Sequence, residues 1–173
     1  MPHEERVIRH AGIEPGLWRF VDLPGEEAPA ALPDGPVAVP LPRWLAQRDM
    51  LRARPAPVGV WLAPADDPAA LAADLDALSL VAVHFPKFTD GRGYSTAVLL
   101  RTRLGYRGEL RAIGDVGQDQ LFYLKRCGFD SFALPARRDP EAALPGLTVF
   151  SIRYQGSVDD PLPLFRKRTG SAP

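Results

Sequence analysis

The 173-residue sequence contains one cysteine, Cys127. A lone thiol closes no intramolecular disulfide and supplies no multi-thiolate centre. It therefore excludes a disulfide-stapled scaffold, a zinc ribbon and an iron–sulfur cluster held within one chain. Histidine is nearly as scarce: His3, His10 and His84 fit no common zinc spacing, so no metal site is expected. No run of about 18 apolar residues escapes interruption by charge. The acidic Glu4 and Glu5, with no apolar stretch behind them, do not read as a secretory signal, and the expectation is a soluble, cytoplasmic protein. Gly91-Arg92-Gly93 has neither the glycine spacing of a dinucleotide fingerprint nor the Gly-Lys-Ser/Thr ending of a phosphate loop, so no cofactor is expected.

Net charge is absent too, because 21 basic and 21 acidic residues cancel. The cancellation hides a polarity: residues 1–90 carry 8 basic against 13 acidic residues, and residues 91–173 carry 13 basic against 8 acidic. Such a swing orients a partner or attracts an anion to the second half. There is no basic cluster interleaved with aromatics, no zinc-finger spacing and no RNP pattern, so nucleic acid is not an expected partner.

Proline and glycine crowd the front of the chain, from Pro15-Gly16 to Pro42. Residues 1–36 therefore read as an irregular leader or a short hairpin, with Leu17, Trp18, Phe20, Val21 and Leu23 as one packed strand. From Val37 an α/β rhythm sets in over 37–155. Strands are expected at Val37–Val39, Val58–Leu62, Leu80–Phe85, Leu110–Ile113 and Phe129–Leu134. Helices are expected at 43–53, after Asp66 or Asp67 with Pro68 in the first turn, at Tyr94–Leu104 and at Val116–Cys127. Both later helix exits, Arg103-Leu104-Gly105-Tyr106 and Arg126-Cys127-Gly128-Phe129, put glycine at the left-handed position and an aromatic after it. Beyond Leu134 a helical turn or two at Pro140–Leu144, a terminal strand at Leu147–Tyr154 and a basic, partly frayed tail over 156–173 complete the reading. The fold class is α/β: one domain with a mainly parallel sheet of about five strands covered by helices. It resembles an open sandwich or part of a β/α barrel, since the complete barrel needs about 250 residues.

Chemistry concentrates where the strand ending at Phe85 runs into Pro86-Lys87-Phe88-Thr89-Asp90-Gly91-Arg92-Gly93-Tyr94-Ser95. Loops beyond the carboxyl ends of parallel strands are the customary place for a site. Lys87 and Arg92 suit an anionic group, Gly91 and Gly93 allow tight turns or close ligand approach, and Thr89, Asp90 or Ser95 can cap the next helix. The structural alternative is an ordinary Asp-Gly turn in which Arg92 pairs with Asp90 and touches no ligand. In the next strand exit, Asp115 and Gln118 fit reciprocal capping, while Asp115 is also placed to face a ligand. Asp90 and Asp115 are a candidate acid/base pair, and His84 is either a packed side chain or a proton carrier. Cys127 reads as buried packing or as a redox thiol.

The segments Phe85–Ser95, Gly108–Val116, Asp119-Gln120-Leu121 and Arg126–Phe132, taken together, resemble the bacterial DUF934 family. The resemblance is specific over 80–134 and extends over roughly 37–155. It implies an association with sulfur assimilation, in particular sulfite or activated-sulfate reduction, and members are described as oxidoreductases. It also implies a shared functional surface at Lys87, Thr89, Asp90, Arg92, Tyr94, Arg111, Asp115, Asp119 and Gln120. Three functions are then open. The first is an accessory protein that binds a reductase component or electron donor. The second is an enzyme acting on a small anionic sulfur compound, with Lys87 and Arg92 neutralising charge and Asp90 or Asp115 moving a proton. The third is a structural interaction domain.

Overall fold

A computed structural model of the chain describes residues 6–9, 11–26, 29, 31–149, 154–164 and 166. Strands β1 (Arg6–Arg9) and β2 (Gly12–Pro15) form an antiparallel hairpin, followed by β3 (Arg19–Phe20) and β4 (Val37–Pro40). Helix α1 (Leu41–Arg52), β5 (Val58–Leu62), β6 (Leu80–Phe85), α2 (Arg92–Thr102), β7 (Glu109–Gly114), α3 (Leu121–Cys127), β8 (Ser131–Ala133) and α4 (Pro140–Ala143) come next. Short 3-10 turns cover Pro68–Leu71, Leu75–Ala77, Gln118–Gln120 and Leu144–Thr148.

One sheet of eight strands results, in the order β2-β1-β8-β7-β6-β5-β4-β3. From β3 to β8 every strand lies parallel beside its predecessor, whereas β1 runs antiparallel to β8. Strands that follow one another in chain order, joined by crossovers of the usual right hand, bring the connections to one face, and the sheet curls into a half-barrel with helices. Alternation along the strands sorts side chains between its two faces. Val39, Val60, Val83, Leu110 and Phe132 join Trp44, Leu100, Leu121 and Leu124 in the main core under the helices. Ala38, Trp61, Leu80, Ala82, Ile113 and Ala133 form a smaller cluster on the concave face, against which Trp18, Phe20 and Leu23 pack.

The α/β class with one sheet is as expected, but the strand count is eight rather than about five. The difference lies at the front of the chain, where the stretch read as an irregular leader or a short hairpin does form a hairpin, β1 and β2, and adds β3. Proline and glycine there shorten the strands without preventing them: Ile8 is fully buried in the main core, and the expected strand over Leu17–Leu23 contracts to Arg19–Phe20.

The expected helix after Asp67 is replaced by two 3-10 turns. Asp67 does cap the first, accepting from Ala69 N at 2.9 Å, with Pro68 in the first turn. The second turn departs because Asp74 is drawn into the core. Its carboxylate accepts from Trp44 Nε1 at 2.8 Å and Arg52 Nη2 at 2.6 Å, and Arg48 Nε lies 2.9 Å away without hydrogen-bond alignment. Held by α1, Asp74 precedes the second turn at φ −112° and ψ −13°. Of the expected terminal strand over Leu147–Tyr154, residues 147 and 148 belong to the last 3-10 turn, residue 149 is a bend, and 150–153 lie outside the described residues. Most of the expected tail beyond 164 lies outside them too.

Both repeated helix exits form. Gly105 and Gly128 take φ of +69° and +110°, and the following amides of Tyr106 and Phe129 bond back to the carbonyls of Leu100 and Leu124. Tyr106 and Phe129 are buried. Among the described residues no helix is long and apolar enough to cross a membrane.

Candidate functional site

The parallel strands β6 and β7 pair in register from Leu80↔Glu109 to Phe85↔Gly114, so their carboxyl-terminal loops start side by side. The loops are joined directly. Asp115 N donates to Phe85 O at 2.7 Å, and Asp115 Oδ2 accepts from Phe88 N at 3.1 Å. The other oxygen of Asp115 accepts from Arg137. Gln120, buried at the start of α3, accepts from Gly117 N at 2.8 Å and donates to Phe88 O and to the Tyr94 hydroxyl, each at 3.2 Å. The capping register is thus Gly117 with Gln120, two residues later than Asp115 with Gln118. Asp115 is diverted because Phe88 N and Arg137 reach it across the loops.

Arg92 and Asp90 form a self-contained pair. Arg92 Nε and Nη2 donate to the two Asp90 oxygens at 3.0 and 2.7 Å, and Arg92 N donates to Oδ1 at 3.2 Å. These bonds hold the Asp90 carboxyl below its ordinary range and raise the Arg92 guanidinium. Gly93 serves packing: a Cβ there would come within 2.5 Å of the Phe85 ring, so its small size lets α2 lie on β6. Tyr94 is half-buried, with its ring 5.5 Å from Phe85 and 5.1 Å from Tyr123 between centroids. Burial pushes its hydroxyl pKa up. Lys87, Thr89 and Asp119 are exposed on the same loops. Phe88 and Tyr123 project beside this network with about half of each side chain exposed, 50% and 55%.

Arg111 does not belong to this rim. It is only 3% exposed and lies within β7 on the concave face, where Nε and Nη2 donate to Glu109 Oε1 at 2.9 and 2.6 Å. Of the nine residues expected to share a surface, the rim brings together Lys87, Thr89, Asp90, Arg92, Tyr94, Asp115, Asp119 and Gln120, and leaves Arg111 apart. His84 also turns to the concave side, with its ring edge-on to Trp61 at 6.0 Å. Burial without a charged partner lowers its pKa, so the neutral form is favoured. The Cys127 thiol is buried, and desolvation pushes its pKa up, which makes it a poor nucleophile. Among the described residues no group of three or more His, Cys, Asp or Glu is placed to hold a metal ion.

A family model described as bacterial protein of unknown function (DUF934) matches residues 59–165, from β5 past α4. The chain belongs to the DUF934 family. No curated protein matches it. The match takes in every rim residue of this DUF934 chain and both left-handed glycine exits, while β1 to β4 lie outside it.

Sequence reasoning missed three polar centres of this DUF934 structure. Arg101 donates to Gly128 O, Tyr106 O, Gly108 O and Asp130 Oδ2, tying both glycine exits together. The Glu109–Arg111 pair was signalled by opposite charges two apart on one strand, which places them on the same face. The third centre is the Asp74 cluster. Its signal was Trp44, Arg48 and Arg52, spaced four apart along one face of α1.

Proposed function

We propose that the protein is a non-catalytic accessory component of assimilatory sulfate or sulfite reduction that binds a reductase component or electron donor through the β6–β7 rim. The supporting observation is the state of Asp90 and Asp115, the two rim carboxylates named as a candidate acid/base pair. Asp90 is bonded to Arg92 and Asp115 to Phe88 N and Arg137, so neither stands free to move a proton, while Phe88 and Tyr123 expose aromatic surface beside them. A hydrogen-bonded frame that presents aromatic side chains at low ordering cost suits protein recognition. The connection to sulfur metabolism rests on the family resemblance alone.

The test is a pull-down from cells grown on sulfate, followed by affinity measurements with purified, cofactor-loaded reductase components. Phe88→Ala and Tyr123→Ala are expected to weaken the interaction about thirtyfold each, the roughly 2 kcal/mol of a hot spot, with the fold retained. Absence of specific binding to those components overturns the reading. Turnover of sulfate, sulfite or activated sulfate with an electron donor present would transfer the argument to the enzyme alternative.

A further inference from the structure

A second polar centre lies on the other side of the sheet from the helices. Register places Ala82, Arg111, Ser131 and Arg9 on adjacent strands in one row across the concave face. Arg111 donates through Nε to Glu109 Oε1 and to Ser131 Oγ at 3.0 Å, and through Nη2 to Glu109. Its side chain is 4% exposed, yet Nη1 is buried with no hydrogen-bond partner. Arg9 approaches the same carboxylate from β1, with Nη1 3.7 Å from Glu109 Oε2, and its Nε is likewise buried and unpartnered.

Two guanidinium groups thus flank one buried carboxylate, with Glu14 and Asp130 as further acidic neighbours of Arg9, and Arg111 Nη1 and Arg9 Nε leave three N–H groups without an acceptor. A buried donor without an acceptor is costly. Glu14, 3.9 Å from Arg9, is about half-exposed, so water screens the compensation it offers. The Ser131 hydroxyl receives Arg111 Nε and keeps its own O–H to donate. Arg111 Nη1 and Arg9 Nε lack an acceptor, and the arrangement opens to solvent on the β1 side, where the Arg9 side chain is 36% exposed.

We infer that the concave face holds a binding site for a small oxyanion, gripped by Arg111 Nη1, Arg9 Nε and the Ser131 hydroxyl. The site is separate from the rim and independent of the accessory reading.

Isothermal titration of the purified full chain with inorganic sulfate, phosphate and acetate, at ionic strength held constant with chloride, tests it. Saturable one-to-one binding of at least one of these anions is expected. Glu109→Gln adds one positive charge to the pocket and should tighten binding about tenfold, whereas Arg9→Gln should weaken it about tenfold. Arg9→Gln leaves the Glu109–Arg111 pair intact, so it remains decisive even if Glu109→Gln fails to fold. Phe88→Ala should bind the anion as the parent does, which separates this outcome from that of partner binding. No saturable binding, or equal affinity in the parent and Arg9→Gln, overturns the inference.

Discussion

Arg101 shows how one side chain can hold two backbone junctions. Its guanidinium fork spends four hydrogen bonds on three carbonyls and a carboxylate, all brought close by the left-handed glycines at 105 and 128. Arg101→Leu should lower stability by about 1.5–3 kcal/mol, the range for hydrogen bonds to a charged group. Arg101→Lys should recover little, because a point charge does not span those acceptors. Urea unfolding of the three proteins measures both. His84 offers a pH test. Its folded pKa lies below the ordinary 6.5, so the unfolded chain takes up the proton first as pH falls. Stability is full above pH 6.5 and declines through the window between 6.5 and the lowered folded value. Urea midpoints measured from pH 8 to pH 5 should fall less steeply for His84→Phe than for the parent.

Among the elements, those buried on both faces were the most legible. β5 and β6 have the bounds expected from their continuous apolar runs, a pattern with few alternatives in a chain of this length. β7 was read one residue short at each end, because Glu109 looks like a loop residue until Arg111 supplies its buried partner. The connection between β5 and β6 was misread as a helix because Asp74 owes its conformation to α1, and no local pattern reveals a carboxylate's distant partner. The rim was legible as a cluster but not in its wiring. Arg137, which holds Asp115, is 22 residues away in sequence. Gly93 marks a close approach of α2 to β6. Gly93→Ala should cost about 1–3 kcal/mol through overpacking against Phe85 despite the better helix propensity of alanine, as thermal denaturation would show. Gly91, where a Cβ meets nothing nearer than 4.0 Å, should tolerate the same change.

For the molecule as a whole, chain order and spatial order agree from β3 to β8, and the β1–β8 pairing breaks the agreement. The hairpin that contributes it is integral to the fold. Ile8 is fully buried opposite Phe132, so Ile8→Ala should cost about 2–5 kcal/mol, and equilibrium unfolding with a single transition would confirm that the front of the chain and the sheet melt together. The same pairing imposes a schedule on synthesis. β1 leaves the ribosome well before β8, and the parallel strands can assemble one beside the next as they emerge, each closing only a short stretch of chain. The hairpin must wait, its outer edge and apolar face unshielded, until residues 131–133 are out and a loop spanning most of the chain can close. A nascent chain stalled before β8 therefore carries an unpaired hairpin and an open sheet edge together. That combination invites edge-to-edge pairing with a neighbouring chain on the same message.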